Sequence, residues 1–382
     1  MEGTVLNLDQ SPRISSVETS ILDVPFVRLQ QFARFESRVQ STVLIRIKTD
    51  CDHEGIGEVV TPCGPWWSGD SVEAVKSTID LYFVSELIGA NPLQSGDILS
   101  RLDKIARGNA FAKAGVEMAL LDLAGKIHQM PVHDLLGGKV RDALPIAWPI
   151  ASGNAGQDIE EMQKMVQKSL TSSFKVKMGM MPIADDLARV EKLCVAAEAL
   201  GATVRVDPNE AWDEVEARLA LPKLAELGVE MVEQPLARWN LKGLGRLNSD
   251  SPITLMLDES ICTAQEMFEA ASLGSGSMVS LKLMKSGGMR RSQAIGNIAE
   301  AAGISLYMGT FLETSLGTAA NLHLAASLQQ LPLGGETIGP LLMADDIVTC
   351  PIEFKEGCAH LPEGVGLGVT LDEDKVKAFN RG

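Results

Sequence analysis

From Leu144 onward the chain repeats one unit. A short apolar run ends in a charged residue, and a stretch with helical spacing follows. The runs are "LPIAWPI", "FKVKMG", "TVRVDPN", "VEMVEQP", "ITLMLDES", "MVSLKLMK" and "SLYMGT", with a weaker eighth at "ETIGP". Lys177, Asp207, Glu233, Asp258 and Lys282 follow one another at intervals of 30, 26, 25 and 24 residues. One strand, one helix and two loops need about that much chain, and roughly eight such units in series make a (β/α)8-type barrel. A doubly wound open sheet would carry a Gly-rich phosphate turn after an early strand, and the sequence has none.

The repeat does not begin at the N-terminus. "VETSILDVPF" and "STVLIRIKTD" are β-branched and alternating, and "EGIGEVV" follows a polar turn, which predicts an antiparallel meander. "DSVEAVKSTIDLYFVSELIG" and "GNAFAKAGVEMALLDLAGKI" then place apolar residues at i, i+3 and i+4, the helical period. The fold class expected is α/β: an α+β capping domain over 1–135, a barrel over 136–345, and a tail over 346–382 that returns to the cap.

The net charge of −16 argues against a nucleic-acid or anionic-membrane partner, since both would be repelled. It leaves room for a small anionic substrate, because a local field can oppose the global one. The six cysteines are scattered without a CxxC pair, as in a reducing compartment. "MEGTVLNLDQSPRISS" has no apolar signal-peptide core, and no run reaches the length of a membrane span. A cytoplasmic protein is expected.

In a parallel barrel the carboxyl ends of the strands share one face, where chemistry occurs. Lys175 and Lys177 lie two apart and point to the same side of their strand; desolvation and mutual repulsion are expected to lower both pKa values. Asp207, Glu233 and Asp258 converge on that face from three successive strands. Their repulsion calls for a divalent cation, and all-oxygen ligands favour Mg²⁺ or Mn²⁺ over zinc. Each carboxylate alone is more often a loop residue or helix N-cap, and Lys285 in "KSGG" reads as a solvated lysine. The spaced set is what carries the metal-site reading, with Lys282 opposite the first two lysines and Glu313 in "GTFLETSLGT".

The same set resembles the muconate-lactonizing subgroup of the enolase superfamily over nearly the whole chain. The matching segments are "GNAFAKAGVEMALLDLAGK", "MPVHDLLGGKVRD", "FKVKMG", "VRVDPNEAWD", "VEQPLARWN", "LDES", "LKLMKSGG", "GTFLETSLGT" and "IGPLLMADDI". The resemblance implies Asp207, Glu233 and Asp258 as ligands of Mn²⁺ or Mg²⁺, with Asn209 beside the metal. It implies Lys177 as acid/base, with Lys175 lowering its pKa and touching substrate. Lys282 is the opposing lysine, and Glu313 matches a glutamate that donates a proton in muconate cycloisomerases. "SLYMGT" lacks the histidine used by relatives resembling mandelate racemase; His128, His133 and His323 read as structural.

The activity implied is lactone formation from cis,cis-muconate or a substituted muconate through a metal-stabilised enolate. The substrate is a small-molecule carboxylate, and a homo-oligomer is expected. Two loops are expected to line the cap. "VRLQQFARFESR" offers Arg28, Arg34 and Arg38 for a distal carboxylate, with Arg34 the substrate-binding candidate, and "TPCGPWWSGD" offers Trp66 and Trp67 as an apolar lid, one of them packed between domains. The alternatives are a racemase, epimerase or dehydratase acting alpha to the carboxylate of an N-acylated amino acid, and a non-catalytic metal-stabilised barrel. Ile338 stands where dipeptide epimerases carry an aspartate, against a free-amine substrate.

Overall fold

A computed structural model describes residues 11–31, 36–62 and 64–381. Three antiparallel strands open it, Ile14–Gln31, Glu36–Thr49 and Glu54–Val60, in sequence order. Their alternation puts Val43, Ile45, Ile47, Val59 and other branched side chains into the core, as expected of a sheet covered on one face.

That face is covered by the helix Ala110–His128, in which every residue from Phe111 to Gly125 is buried. A helix buried on every face belongs at the centre of a fold, and charged groups it carries inside form ion pairs, Lys113 with Asp103 and Asp122 with Lys126. The approach is close because the third strand is glycine-rich. A Cβ on Gly57 would come within 2.3 Å of the Gly115 carbonyl oxygen, closer than any real contact. The stretch predicted as one helix from Asp70 is helical at Val72–Thr78 and Val84–Leu87, with a wider turn at Ile79–Phe83.

The repeating segment forms a seven-stranded parallel sheet: Trp148–Ile150, Ser173–Lys177, Thr203–Asp207, Met231–Glu233, Thr254–Leu257, Met278–Leu281 and Ser305–Met308, each beside its sequence neighbour. Helices connect the strands, as parallel pairing requires, and several start on explicit caps. Asp213 and Thr263 each open a reciprocal capping box, with Glu216 and Glu266. The "ETIGP" segment is not a strand; instead Gly335 makes single parallel bridges to both Ile146 and Met308.

Side-chain alternation builds the site in layers. Met231, Met256, Met278 and Tyr307, with Leu333 against them, form a separate apolar cluster. Two residues further along three of those strands come Glu233, Asp258 and Ser280, and two beyond Ser280 is Lys282. The charged layer therefore rests on a methionine floor. In the tail, Cys358–His360 pairs with Ala143–Pro145, just ahead of the parallel strands, while Gly366 bridges Pro131 and Asn380 bridges Leu22 of the first strand. No helix among the described residues is long and apolar enough to cross a membrane.

Candidate active site

Lys175 and Lys177 do point to one side, but their surroundings differ. The Lys175 side chain is 3% exposed, and its Nζ lies 2.5 Å from Glu233 Oε2, 2.5 Å from Glu336 Oε2 and 3.6 Å from Asp207 Oδ2. Lys177 is 29% exposed and reaches Asp207 Oδ2 at 2.5 Å and Asn209 Oδ1 at 3.0 Å. The expected lowering of the Lys175 pKa is corrected here. Burial does act to lower it, but Glu233, Glu336 and Asp207 outweigh burial and raise it well above the usual lysine range.

On the far side, Lys282 Nζ donates to Asp258 Oδ2 at 2.5 Å. Lys285, expected in solvent, is buried and donates to Asp258 Oδ1 at 2.8 Å and to the Asp258 carbonyl at 2.6 Å. Burial works to raise the Asp258 pKa, and the two ammoniums overcome it, holding the carboxyl far below the usual range. Gly309 leaves room for this lysine, since a Cβ there would sit 2.5 Å from Lys282 Cε.

Asp207, Glu233 and Asp258 are all buried. Burial, then the nearby Asp207 charge, pushes Glu233 up to about 7. Glu233 Oε1 is buried without a hydrogen-bond partner. No finished cluster of three acidic, histidine or cysteine ligands is drawn together among the described residues. The donor set is nonetheless the one a hard divalent cation takes: three buried carboxylates from adjacent strands, mutually repelling, with one oxygen unsatisfied.

The three carboxylates lie behind the lysines, and it is the lysines that open into a cavity of about 230 Å³. Lys175, Lys177, Asn209, Lys282 and Glu336 line it from the sheet side; Arg28, Pro62, Trp66 and Trp67 line it from the N-terminal unit. Trp67 is buried edge-on to Phe311, with centroids 4.7 Å apart, and Lys282 Nζ lies 5.3 Å from the Trp67 ring and 5.1 Å from the Phe311 ring. Arg238 covers Trp67 at 5.3 Å.

Arg34 lies outside the described residues, and Arg38 is exposed and does not line the cavity. Arg28 does line it, paired with Glu161 at 2.6 and 3.0 Å; Glu161 in turn accepts from Trp148 Nε1 at 2.8 Å. Glu313 is not among the lining residues. Its carboxylate turns back into its own loop, accepting from Thr310 Oγ1 at 2.5 Å and from the Phe311 amide at 3.1 Å.

Two carboxyls went unnoticed in the sequence. Glu336 enters the cavity from "ETIGP", where no apolar run marks a strand end. Glu259, beside Asp258, accepts from Asn209 Nδ2 at 3.1 Å and is pushed up to about 8 by burial and by its acidic neighbours. Its signal was present in "LDES".

Known proteins resemble this chain over nearly its whole length. Residues 16–137 match the mandelate racemase/muconate lactonizing enzyme N-terminal domain, and residues 157–375 match the enolase C-terminal domain-like family. A chloromuconate cycloisomerase from Cupriavidus pinatubonensis is 49% identical, with 94% of this chain aligned to 97% of that protein. Muconate cycloisomerase 1 of Pseudomonas putida is 41% identical over 96% of this chain and 98% of its own. The muconate lactonizing enzyme of Pseudomonas fluorescens, crystallised with muconolactone, superposes with a TM-score of 0.95 at 40% identity, covering 97% of this chain and all of that one. Enzymes of this group depend on a divalent metal. The chain belongs to the muconate-lactonizing subgroup of the enolase superfamily.

Proposed function

We propose that this protein is a muconate cycloisomerase, closing cis,cis-muconate or a substituted muconate to a lactone. The observation that carries the reading is that Lys177 and Lys282 enter one cavity from the second and sixth strands of the sheet, each on a carboxylate of the same three-membered set. The relatives named above support the substrate class.

Asp207, Glu233 and Asp258 would hold the cation, Mn²⁺ or Mg²⁺. Bound there, it would stabilise negative charge gathering on a substrate carboxylate. Lys175, wedged among three acids, keeps its proton and serves as a fixed positive charge. Lys177, partly open to the cavity, is the group able to hand over a proton and recover it from water.

One carboxylate oxygen of the diene diacid adds to the alkene carbon beta to the other carboxylate, forming the ring C–O bond as the π bond of that one C=C breaks. The displaced electron pair collects on the carbon alpha to the other carboxylate. The Lys177 ammonium protonates that carbon, and solvent returns the proton to the lysine. Lys282 offers its charge from the opposite face.

The carboxyl placed to assist is Glu336, which touches Lys175 and lines the cavity, in preference to Glu313. Arg28, oriented by Glu161, is the cation suited to a distal carboxylate. Gly335, bridging Ile146 and Met308, supports an eighth strand position and closure of the sheet into a barrel. The test is the ultraviolet absorbance of the conjugated diene, which vanishes on lactonization. Unchanged absorbance from cis,cis-muconate and its chlorinated and methylated relatives, with Mn²⁺ or Mg²⁺ supplied, sinks the proposal.

A further inference from the structure

We propose that Arg189 is a positioning residue for Lys177, acting with Asp158 and Asp186 as one buried clamp; this rests on the reading of Lys177 as the proton donor. Arg189 lies on the helix Ile183–Leu200, faces inward, and is 6% exposed. Its Nη2 donates to the backbone carbonyl of Lys177, and its Nη1 donates to Asp158 Oδ2 at 2.6 Å. Asp158, fully buried on the helix Ala155–Gln167, accepts from Ser152 Oγ at 2.5 Å and from the Ser152 amide at 3.2 Å through its other oxygen. Asp186 Oδ2 accepts from the Gly179 amide at 2.6 Å, and its Oδ1 stands 3.6 Å from Arg189 Nη2, an ion-pair distance.

One guanidinium thus joins the loop after the first parallel strand to the end of the second. Both ends line the cavity, through Ser152 and through Lys177, Met178 and Met180. The clamp also reaches the third strand. The Met178 amide donates to the Asp207 carbonyl at 2.9 Å. Gly179, at φ +85°, packs so tightly on the next loop that a Cβ would meet Ala211 Cβ at 2.4 Å.

A buried Asp–Arg pair is weak evidence for stability, because desolvation opposes the Coulomb gain. What it supplies here is direction. The guanidinium fork is planar and rigid, and a charged donor on a strand-end carbonyl fixes that carbonyl more firmly than a neutral one. Lys177 has a long, flexible side chain, so the placement of its Nζ begins with the placement of its backbone. A shift of about 1 Å in a reacting group costs on the order of 100-fold in rate.

The experiment compares Arg189→Met, Arg189→Lys and wild type by steady-state kinetics on cis,cis-muconate and by amide hydrogen exchange without substrate. Arg189→Met is expected to lower kcat by roughly 10- to 100-fold, with KM changed less than about threefold. Exchange at Met178 and Gly179 should quicken while amides of the remote strand Ser305–Met308 keep their wild-type rates. Arg189→Lys should recover part of kcat.

An unchanged kcat in Arg189→Met, or exchange quickened across the whole sheet, overturns the proposal. If Arg189→Met does not fold, Asp158→Asn, which keeps the shape and removes the charge, is read in the same way. A wild-type protein inactive on every muconate would defeat the proposed function instead, and the exchange measurement, which needs no substrate, would still decide whether the clamp holds Lys177 in place.

Discussion

Lys177 and Lys175 share one carboxylate oxygen: Asp207 Oδ2 lies 2.5 Å from the first ammonium and 3.6 Å from the second. The two lysines are nonetheless unequal, because Lys175 also touches Glu233 and Glu336 and has almost no exposure. Lys177→Ala is therefore expected to abolish deuterium incorporation from D₂O into the lactone, while Lys282→Ala leaves some. Mass spectrometry of the product decides it. If each mutant instead loses exchange with only one enantiomer of an acylated amino acid, the enzyme is a racemase.

Asp258 balances two buried ammoniums, those of Lys282 and Lys285. Its replacement by Asn removes a proposed metal ligand and leaves both cations without their carboxylate. Activity should be lost, and the metal-free protein should lose about 3–5 kcal/mol of stability, the usual cost of breaking a buried pair. Chelation of the wild type should also abolish turnover, with recovery on adding Mn²⁺ or Mg²⁺. Full activity in a chelated sample would falsify the metal-site reading.

Glu336 and Glu313 make a sharper comparison. One lines the cavity against Lys175, and the other accepts hydrogen bonds from its own loop. Glu336→Gln is expected to lower kcat by about 100-fold, the low end for lost acid–base assistance. Glu313→Gln should act mainly on thermal stability. Equal kcat losses in the two variants would remove the distinction.

The strand-end charges were legible because a parallel strand has a strict period of two and ends where its apolar run ends. Lys177, Asp207, Glu233, Asp258 and Lys282 could be read from that rule alone. Glu336 could not, since Gly334 and Gly335 erase the pattern just before it. Lys285 was misread because its burial depends on the carboxylate and carbonyl of Asp258, on a different strand. The pKa direction of Lys175 failed for the same reason: its partners lie 58 and 161 residues further along the chain, at Glu233 and Glu336. The clamp at Arg189 joins two helices to a strand end, which no local pattern announces.

Arg28 is held in a fork by Glu161, leaving further N–H groups available at the cavity wall. Arg28→Gln should raise KM for cis,cis-muconate by roughly tenfold, the low end for a charged hydrogen bond because the side chain is half exposed. A monocarboxylate analogue should lose less. Equal losses for both would mean that Arg28 only latches the N-terminal unit to the helix carrying Glu161.

Glu58 carries the pH prediction. It is wholly buried on the third antiparallel strand and accepts from Thr314 Oγ1 at 2.7 Å and from the amides of Thr314 and Gly317 at 3.1 and 2.7 Å. Burial pushes its carboxyl from 4.5 up to about 7 despite those donors, and the nearby Glu313 charge adds to the rise. Because the folded-state pKa is above the unfolded one, the stability linked to its proton is fully present below about pH 4.5 and is lost as pH rises through 7. A shift of this size corresponds to about 3 kcal/mol at its limit. Glu58→Gln mimics the protonated form and cannot ionise, so its urea midpoint should fall less than that of wild type between pH 5 and pH 8. Parallel midpoint curves for the two proteins would show that Glu58 keeps the same charge across that range and that its donors, not burial, set its ionisation.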